Sequence, residues 1–320
     1  MPEPINHPIS NHLIDNVPWE AYKRPYVRDL AYVLACPNVL TQWLDFALHQ
    51  ITHTVAVHSA QFWQTQFEAY KQRLVELDTT AAYQALTRYL LKRPSPNRLG
   101  FHFEGLLSFW LEDGFARKLH PYETLANNVQ LYNGKQTVGE LDLILYNHEE
   151  RLVEHWELAI KFFMGSSPFA PENWVGINSK DNLQRKMTHM QTKQFRSVWV
   201  DTEDHGRIRI DKRYGIIKGR FFLPINSTDF KYPSWLEPNF PIHEWCDKND
   251  LLNLATIDTT ILRRAHYVEW FSKRDFYDGY DARLPPLNLS ETDTLRTGLY
   301  FEGDRLIVIY YARHDEVKNT

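Results

Sequence analysis

The amino-acid sequence predicts an α/β protein. Three observations predict this class: helical spacing of apolar residues over most of the first hundred positions, three successive strand-like segments between residues 128 and 163, and a helix and a strand beyond them. A chain of 320 residues that is 43% hydrophobic and 14% aromatic can bury a substantial core. The sequence therefore predicts a folded globular protein of one large domain or two smaller ones.

Residues 1–97 are predicted to form a helical N-terminal part. Apolar residues recur at spacings of three and four within residues 30–47, and further helices are predicted over 62–77 and 81–91. Two prolines in the segment from Arg93 to Asn97 break the helical pattern. This segment is the predicted linker to the rest of the chain.

Residues 98–223 are predicted to form the core of the protein. An amphipathic helix is predicted over 100–113, and Gly114 is placed to end it. The next predicted elements are strands over 128–132, 137–146 and 152–163. Asn133 and Gly134 form a strong hairpin turn signal between the first two strands, so the three strands should form an antiparallel meander.

A second helix and a fourth strand complete the predicted core. Asp181 can cap a helix that runs to about Phe195, and residues 214–223 are predicted to be a strand. Beyond Pro224 the patterns are weaker, apart from a predicted buried strand over 306–311. Residues 224–320 are therefore predicted to be a C-terminal α+β extension that packs on the core.

Composition indicates a soluble cytoplasmic protein with no membrane association. No apolar stretch reaches the roughly 20 residues of a membrane span, and the N-terminus lacks the pattern of an export signal. The only cysteines, Cys36 and Cys246, lie far apart without a CxxC spacing, so neither a disulfide framework nor a cysteine zinc site is indicated. The net charge of −4 argues against a surface that binds nucleic acid everywhere.

Two neighbouring predicted strands carry acids and a lysine. Glu140 and Asp142 alternate with leucines on the first strand, which places both carboxylates on one face. Glu157 and Lys161 lie on the next strand. Acids beside buried leucines need water, a cation or a metal. They could form a magnesium site, or Asp142 or Glu140 could form a structural ion pair with Lys161.

The order of these elements, with Gly-Glu-Leu-Asp at 139–142 and a glutamate and a lysine on the next strand, resembles the PD-(D/E)XK nuclease-like superfamily. His-Trp-Glu-Leu-Ala-Ile-Lys-Phe at 155–162 is similar to a bacterial family of unknown function placed in that superfamily. Asp-Asn-Leu at 181–183 and Ile-Lys-Gly at 217–219 extend the likeness. The resemblance implies a restriction-endonuclease-like αβββαβ core over residues 98–223.

The resemblance also implies a site for Mg²⁺ or Mn²⁺. Asp142 would bind the ion with a second acid, Glu157 or Glu140, and Lys161 would assist the attacking water. Glu104, on the preceding helix, is a further candidate ligand, because many relatives in the superfamily carry an acid there. The alternative for Glu104 is an exposed helix acid.

The spacing of the strand residues departs from the superfamily pattern. Three residues separate Glu157 from Lys161 where one is usual, and Ala159 occupies the position of the expected acid. At ~3.3 Å per residue, Glu157 and Lys161 are about 13 Å apart along the strand. Either a bulge or twist brings Glu157 round, or Glu104 or Glu140 completes the site, or metal catalysis has been lost.

A basic segment follows the acidic strands. Residues 180–220 contain eleven Lys or Arg and five acids, which is an excess of six positive charges. Such a run is either a solvated face or a phosphate-binding surface. The residues predicted to contact nucleic acid are Lys186, Gln191, Lys193, Arg196 and Lys218.

The preferred hypothesis is a metal-dependent nuclease or phosphodiesterase that acts on DNA or RNA. The main alternative is a non-catalytic descendant of the same fold that binds nucleic acid or protein and keeps Asp142, Glu157 and Lys161 as a buried polar network. A third hypothesis is an enzyme that modifies a small phosphorylated ligand. No glycine-rich phosphate loop and no Gly-x-Ser-x-Gly motif supports nucleotide hydrolysis or esterase chemistry.

Overall fold

Most strands belong to one mixed sheet. The computed structural model describes residues 17–46, 53–93, 95, 98–133, 136–178, 180–225, 227–251, 256–272 and 297–310. The helices are α1 (Pro25–Ala35), α2 (Ala60–Thr79), α3 (Tyr83–Lys92), α4 (Leu99–Ala116) and α5 (Leu183–His189). The strands are β1 (Tyr122–Asn133), β2 (Gln136–Asn147), β3 (Leu152–Gly165), β4 (Trp174–Gly176), β5 (Trp199–Thr202), β6 (Gly206–Arg209), β7 (Lys212–Pro224), β8 (Ile242–Asp247), β9 (Leu262–Arg264), β10 (Gly298–Glu302) and β11 (Arg305–Tyr310). None of the helices in these ranges is long and apolar enough to cross a membrane.

The sheet has the order β1-β2-β3-β7-β8-β11-β10-β9, with β4 paired to the end of β3, while β5 and β6 form a separate hairpin. Strands β1, β2 and β3 form the predicted antiparallel meander. After α5 the chain returns as β7, which lies parallel to β3. Parallel neighbours need a long connection, and α5 with the β5–β6 hairpin provides it. The predicted α/β class is confirmed.

One apolar core is shared by the N-terminal helices, α4 and the sheet. Trp63 of α2, Trp110 of α4 and Trp156 of β3 have no exposed surface. Their ring centroids lie 6.3 to 6.5 Å apart. Aromatic side chains of this size contribute several kcal/mol each, to order of magnitude, when they are fully buried. Residues before and after the predicted linker at 93–97 therefore pack in the same core.

The C-terminal extension continues the sheet. β8 lies parallel to β7, and β11 lies parallel to β8. β10 and β9 then add two antiparallel strands at the edge. The strand predicted over 306–311 is β11. Backbone hydrogen bonds thus join residues on both sides of position 224, where the weaker sequence patterns begin.

The contact between β3 and β7 is unusually close at one position. Gly219 lies opposite Lys161 and has a φ of +131°, and a Cβ there would lie 1.8 Å from the Lys161 carbonyl oxygen. The Gly219 carbonyl accepts a hydrogen bond of 2.6 Å from the Tyr32 hydroxyl of α1. Only glycine fits this backbone conformation and this space. The Ile-Lys-Gly segment therefore has a structural explanation.

Lys218 is buried, which corrects its prediction as a phosphate contact. Its side chain is 1% exposed and its Nζ lies 3.3 Å from the centroid of the Trp63 ring. The ammonium donates hydrogen bonds to the carbonyl oxygens of Val33 and Cys36 at the end of α1. Burial lowers the pKa of Lys218 well below its ordinary value. Lys218 fastens α1 to β7 and cannot reach a nucleic acid.

The helical pattern predicted over 30–47 is wrong beyond Ala35, where α1 ends, because residues 36–46 contain no helix. Three further local predictions differ from the structure. Helix α4 continues through Gly114 to Ala116, because Gly114 gives space to the His120 ring, which a Cβ would meet at 2.5 Å. Helix α5 is capped by Asn182, whose side chain accepts a hydrogen bond from the Arg185 N–H at 2.8 Å, and not by Asp181. β1 begins six residues earlier than predicted, since Asn128 is accommodated within the strand at a φ of +51°.

The close approach at Gly219 predicts that Gly219→Ala lowers the free energy of unfolding much more than Gly206→Ala does. Gly219→Ala would place Cβ against the Lys161 carbonyl, so β3 and β7 must separate, and we expect a loss of about 3 kcal/mol or more in the free energy of unfolding. Gly206→Ala is the control: φ is +65° and a Cβ meets nothing within 4 Å, so we expect a loss of about 1 kcal/mol. Urea denaturation measures both; equal losses would contradict the clash.

Candidate active site

Two carboxylates meet where β2 and β3 separate. The paired register of these strands ends at Leu143 and Trp156, and Asp142 and Glu157 are the next residues on each strand. The Leu158 N–H donates a hydrogen bond of 2.7 Å to Oδ2 of Asp142. The Asp142 side chain thus accepts the hydrogen bond that a backbone carbonyl of β2 would accept in a regular sheet. This local break brings Asp142 to the edge of β3 and against Glu157.

Asp142 and Glu157 share a hydrogen bond, which requires a proton on one of them. Burial, followed by the negative charge of Glu157, raises the pKa of Asp142 well above its ordinary value. Burial raises the pKa of Glu157 to about 7, while the hydrogen bond with Asp142 opposes this increase. Two buried acids in contact are costly unless a proton or a cation compensates them.

Two neutral side chains hold Glu157 in place. Nε2 of Gln194 donates a hydrogen bond to Oε1, and Nε2 of His155 lies 3.2 Å from Oε2. His155 is fully buried, and burial lowers its pKa to about 3, so the ring is neutral near pH 7. Both Oε1 of Gln194 and Nδ1 of His155 are buried without a hydrogen-bond partner. Orphaned polar atoms of this kind can be satisfied by a water or an ion.

Lys186 of α5 is a cation whose charge acts on this pair. Its charge interacts with Glu157 and Asp142, and also with Lys161 and Asp181. Burial is the main cause that lowers the pKa of Lys186, and the carboxylates oppose it. The sequence predicts Lys186 only as a phosphate contact, whereas in the structure its charge acts on Asp142 and Glu157. Position 186 lies one helical turn after the Asn182 cap, but no local sequence signal indicates which strands this turn of α5 packs on.

Glu104 lies beside the pair on α4 and is not the exposed acid of the alternative prediction. Nη2 of Arg93 lies 3.8 Å from its Oε2. Burial and the negative charge of Asp142 raise the pKa of Glu104 to about 7. Glu140 is placed differently: its carboxylate accepts a hydrogen bond of 2.6 Å from Gln130 of β1. Glu104 is thus the nearer neighbour of Asp142 in electrostatic terms.

Lys161 is paired with Asp181, and not with Asp142 or Glu140 as one prediction had it. Its Nζ lies 2.5 Å from Oδ2 of Asp181, which precedes α5. The side chains of Lys161 and Asp181 are 23% and 32% exposed, so this ion pair lies near the surface. The spacing along β3 thus separates Lys161 from the buried acids as expected, and its charge still acts on Lys186.

The remaining residues predicted to contact nucleic acid fall into two groups. Gln191 is 2% exposed and its amide donates to the Asp45 carboxylate, which corrects its prediction as a surface residue. Lys193 and Arg196 are exposed. Residues 190–194 form one turn of π-helix, which changes the direction of the side chains that follow it. Gln194, three residues after Gln191, therefore contacts Glu157 in the site. A pattern based on regular α-helical spacing does not predict this change in side-chain direction.

The donor set fits a hard divalent cation. Among the described residues, no group of three or more His, Cys, Asp or Glu side chains is arranged to hold a metal ion. The oxygen donors that meet here are the carboxylates of Asp142 and Glu157, and the Gln194 amide N–H donates to the latter. Mg²⁺ commonly takes one or two carboxylates and keeps several waters. A cation would also compensate the repulsion that raises the pKa of Asp142.

The fold and the carboxylate pair define an α/β protein with a buried acidic site. The chain matches the sequence profile of a family described as Domain of unknown function (DUF1853) over residues 28–302. This match covers most of the 320 residues, including every residue of the site, so the chain belongs to this family. No curated protein and no solved structure matches the chain.

The raised pKa of Glu157 predicts that this group's contribution to stability falls as the pH rises. The folded state binds this proton more tightly than the unfolded state, whose carboxyl titrates near 4.5, so stabilisation is lost between pH 4.5 and about 7. Glu157→Gln removes the titrating group and should reduce this decrease by at least about 1 kcal/mol. Urea denaturation at pH 5 and pH 7.5 in EDTA measures it. Glu68→Gln, at an exposed position of α2, should keep the wild-type decrease.

Proposed function

We propose that this protein is a metal-dependent phosphodiester hydrolase that acts on nucleic acid. The single observation that carries the proposal is the meeting of Asp142 and Glu157 where β2 and β3 separate, within the electrostatic influence of Lys186. The order α4-β1-β2-β3-α5-β7, with β3 parallel to β7, supports a restriction-endonuclease-like core of the PD-(D/E)XK nuclease-like type. Acids at the point where two central strands separate can bind a cation beside an open edge of backbone.

Asp142 and Glu157 would hold Mg²⁺ or Mn²⁺. When bound, such an ion supplies a water of lowered pKa as the nucleophile and stabilises charge at the phosphate. The Leu158 N–H fixes the Asp142 carboxylate, and the Gln194 amide fixes that of Glu157. Side chains held by neighbours in this way need little reorganisation when a ligand binds.

Lys186 is the proposed partner of the phosphate, in place of Lys161. A desolvated ammonium beside two carboxylates can donate a hydrogen bond to a phosphate oxygen and offset its charge. Lys161 is already held by Asp181 at 2.5 Å. The unusual three-residue spacing on β3 is therefore compatible with activity, because the cation comes from α5 and not from β3.

A non-catalytic binding module is the second candidate. The hydrogen bond between Asp142 and Glu157 and the ion pair between Lys161 and Asp181 satisfy these charges without a metal. Such a network would stabilise the fold and leave binding to the exposed basic residues. The two candidates differ in their response to divalent cations.

The proposal predicts that Mg²⁺ or Mn²⁺ raises the melting temperature of the protein. A ligand that binds only the folded state at 100 times its Kd stabilises it by about 2.7 kcal/mol. We expect Asp142→Asn and Glu157→Gln to abolish this increase, because they remove the ligands. Glu140→Gln, whose carboxylate contacts Gln130, should retain it. Differential scanning fluorimetry with a cation titration is the measurement; an unchanged wild-type melting temperature would favour the binding module.

The proposal also predicts unequal roles for the two lysines. Lys186→Met should lower metal-dependent cleavage of plasmid and oligonucleotide substrates by about 100-fold or more, since it removes a donor at the developing charge. Lys161→Met should have a clearly smaller effect, because its ammonium is engaged by Asp181. Initial cleavage rates in Mn²⁺, with melting curves of both variants, measure the difference. The reverse order of effects would assign the catalytic role to Lys161.

A further inference from the structure

We infer that the hairpin of β5 and β6 binds an unpaired nucleic-acid strand, with Trp199 as a platform for base stacking. We call residues Trp199–Arg209 the Trp199 hairpin. The inference rests on the proposed function and specifies the form of its substrate. It depends on four features of the hairpin: an exposed indole, flanking guanidinium groups, a buried opposite face and a short connection to the candidate active site.

The solvent face of the Trp199 hairpin combines an indole with arginines. Trp199 is 48% exposed, which is unusual for a large aromatic side chain. Arg209 lies opposite Trp199 in the register, and Cζ of Arg207 lies 5.3 Å from the centroid of the indole ring. Both arginines are exposed. An aromatic face beside guanidinium groups suits a base with its phosphate, because every base offers a π-face and every nucleotide a negative charge.

The opposite face of the hairpin is fixed to the sheet. Val200, Ile208 and Ile210 pack in one apolar cluster with Leu141 and Ile144 of β2. Strand β2 also carries Asp142. The hairpin is thus anchored on the strand that supplies a carboxylate of the candidate active site, and Trp199 stays on the solvent side by the alternation of strand residues.

A short, fastened segment joins the hairpin to the site. Gln194 contacts Glu157, and only four residues lie between it and Trp199, a span of at most about 18 Å. Arg213 of β7 donates hydrogen bonds to the carbonyl oxygens of Phe195 (3.0 Å) and Ser197. A strand stacked on Trp199 would therefore lie within a few nucleotides of the carboxylate pair.

Charged residues are distributed unevenly along the hairpin and the segment before it. The end nearer the candidate active site favours a polyanion. Lys193 and Arg196 precede Trp199 and are exposed, and no acid lies between residues 193 and 200. The exposed acids Glu203 and Asp204 lie at the turn, which is the far end of the hairpin. Two further exposed acids have partners: Asp201 lies opposite Arg207 in the register, and Asp211, at the base, accepts a hydrogen bond of 2.9 Å from the Val153 N–H. Phosphates are thus attracted to the base of the hairpin, and the turn is left outside the contact.

Stacking on an indole requires an exposed base face, which a continuous duplex does not offer. Bases in a duplex are covered by their neighbours above and below, whereas unpaired strands can place a base on an aromatic side chain. The hairpin face therefore selects single strands, loops or frayed ends. Stacking does not distinguish ribose from deoxyribose, so DNA and RNA strands of one sequence should bind alike.

The test is binding of a fluorescein-labelled single-stranded oligonucleotide to the full chain, followed by anisotropy in EDTA. We expect Trp199→Ala to weaken binding about tenfold, Trp199→Phe to weaken it less than threefold, and Tyr232→Ala, at a 52% exposed aromatic residue elsewhere, to leave it unchanged. DNA, RNA and duplex forms of one sequence are compared. Melting curves of the variants serve as the folding control, since Trp199 is exposed.

Two results would overturn the inference: equal affinity of the wild type and Trp199→Ala, or preferential binding of the duplex. A change in self-association caused by Trp199→Ala, with no oligonucleotide bound, would instead assign the face to a contact between copies of this chain. Because EDTA prevents turnover, these outcomes are independent of catalysis. A wild-type protein that shows no response to Mg²⁺ or Mn²⁺ would overturn the proposed hydrolase and leave strand binding by Trp199 intact.

Discussion

The structure depends on the contacts that stabilise two buried glutamates of β3, a strand that pairs with β2 along one edge and with β7 along the other. Glu154 is 1% exposed and receives hydrogen bonds from Asn147 (2.9 Å) and Trp156 (2.8 Å), which are neutral donors sufficient for a structural carboxylate. Glu157 is equally buried, yet it contacts a second acid and is acted on by the charge of Lys186. Burial alone thus does not explain Glu157. The difference between these two glutamates is the strongest physical argument that the latter belongs to a site.

Three lysines that look alike in the sequence have three different roles. Lys218 is buried against Trp63 and binds the end of α1. Lys161 lies on β3 opposite Gly219, the residue that follows Lys218 on β7. It forms an ion pair with Asp181 near the surface. Lys186 comes from α5 and its charge acts on the carboxylates. Each role follows from the strand register and the direction of α5, because these fix which environment the ammonium enters.

The candidate active site and the Trp199 hairpin are held in place by the same strand, β2, and by the segment that contains Gln194. Strand β2 carries Asp142 and the leucine and isoleucine on which the hairpin packs, and the segment with Gln194 links the hairpin to Glu157. Rigid elements therefore hold the acids, their positioning groups and an exposed aromatic surface in one arrangement. This arrangement separates the proposed chemistry, which needs buried charge, from the proposed strand binding, which needs exposed charge.

The sequence by itself determined the class of the protein, the antiparallel meander and the order of helix and strand that follows, since periodicity and turn residues are local signals. It also indicated Asp142 and Glu157 as the central acids. Tertiary structure alone decided that β2 and β3 separate at those residues, that Lys186 and Gln194 reach them, and that Lys218 does not. The physical reason is that contacts across strands and helices depend on register, helix phase and the π-turn at 190–194, none of which a one-dimensional pattern specifies.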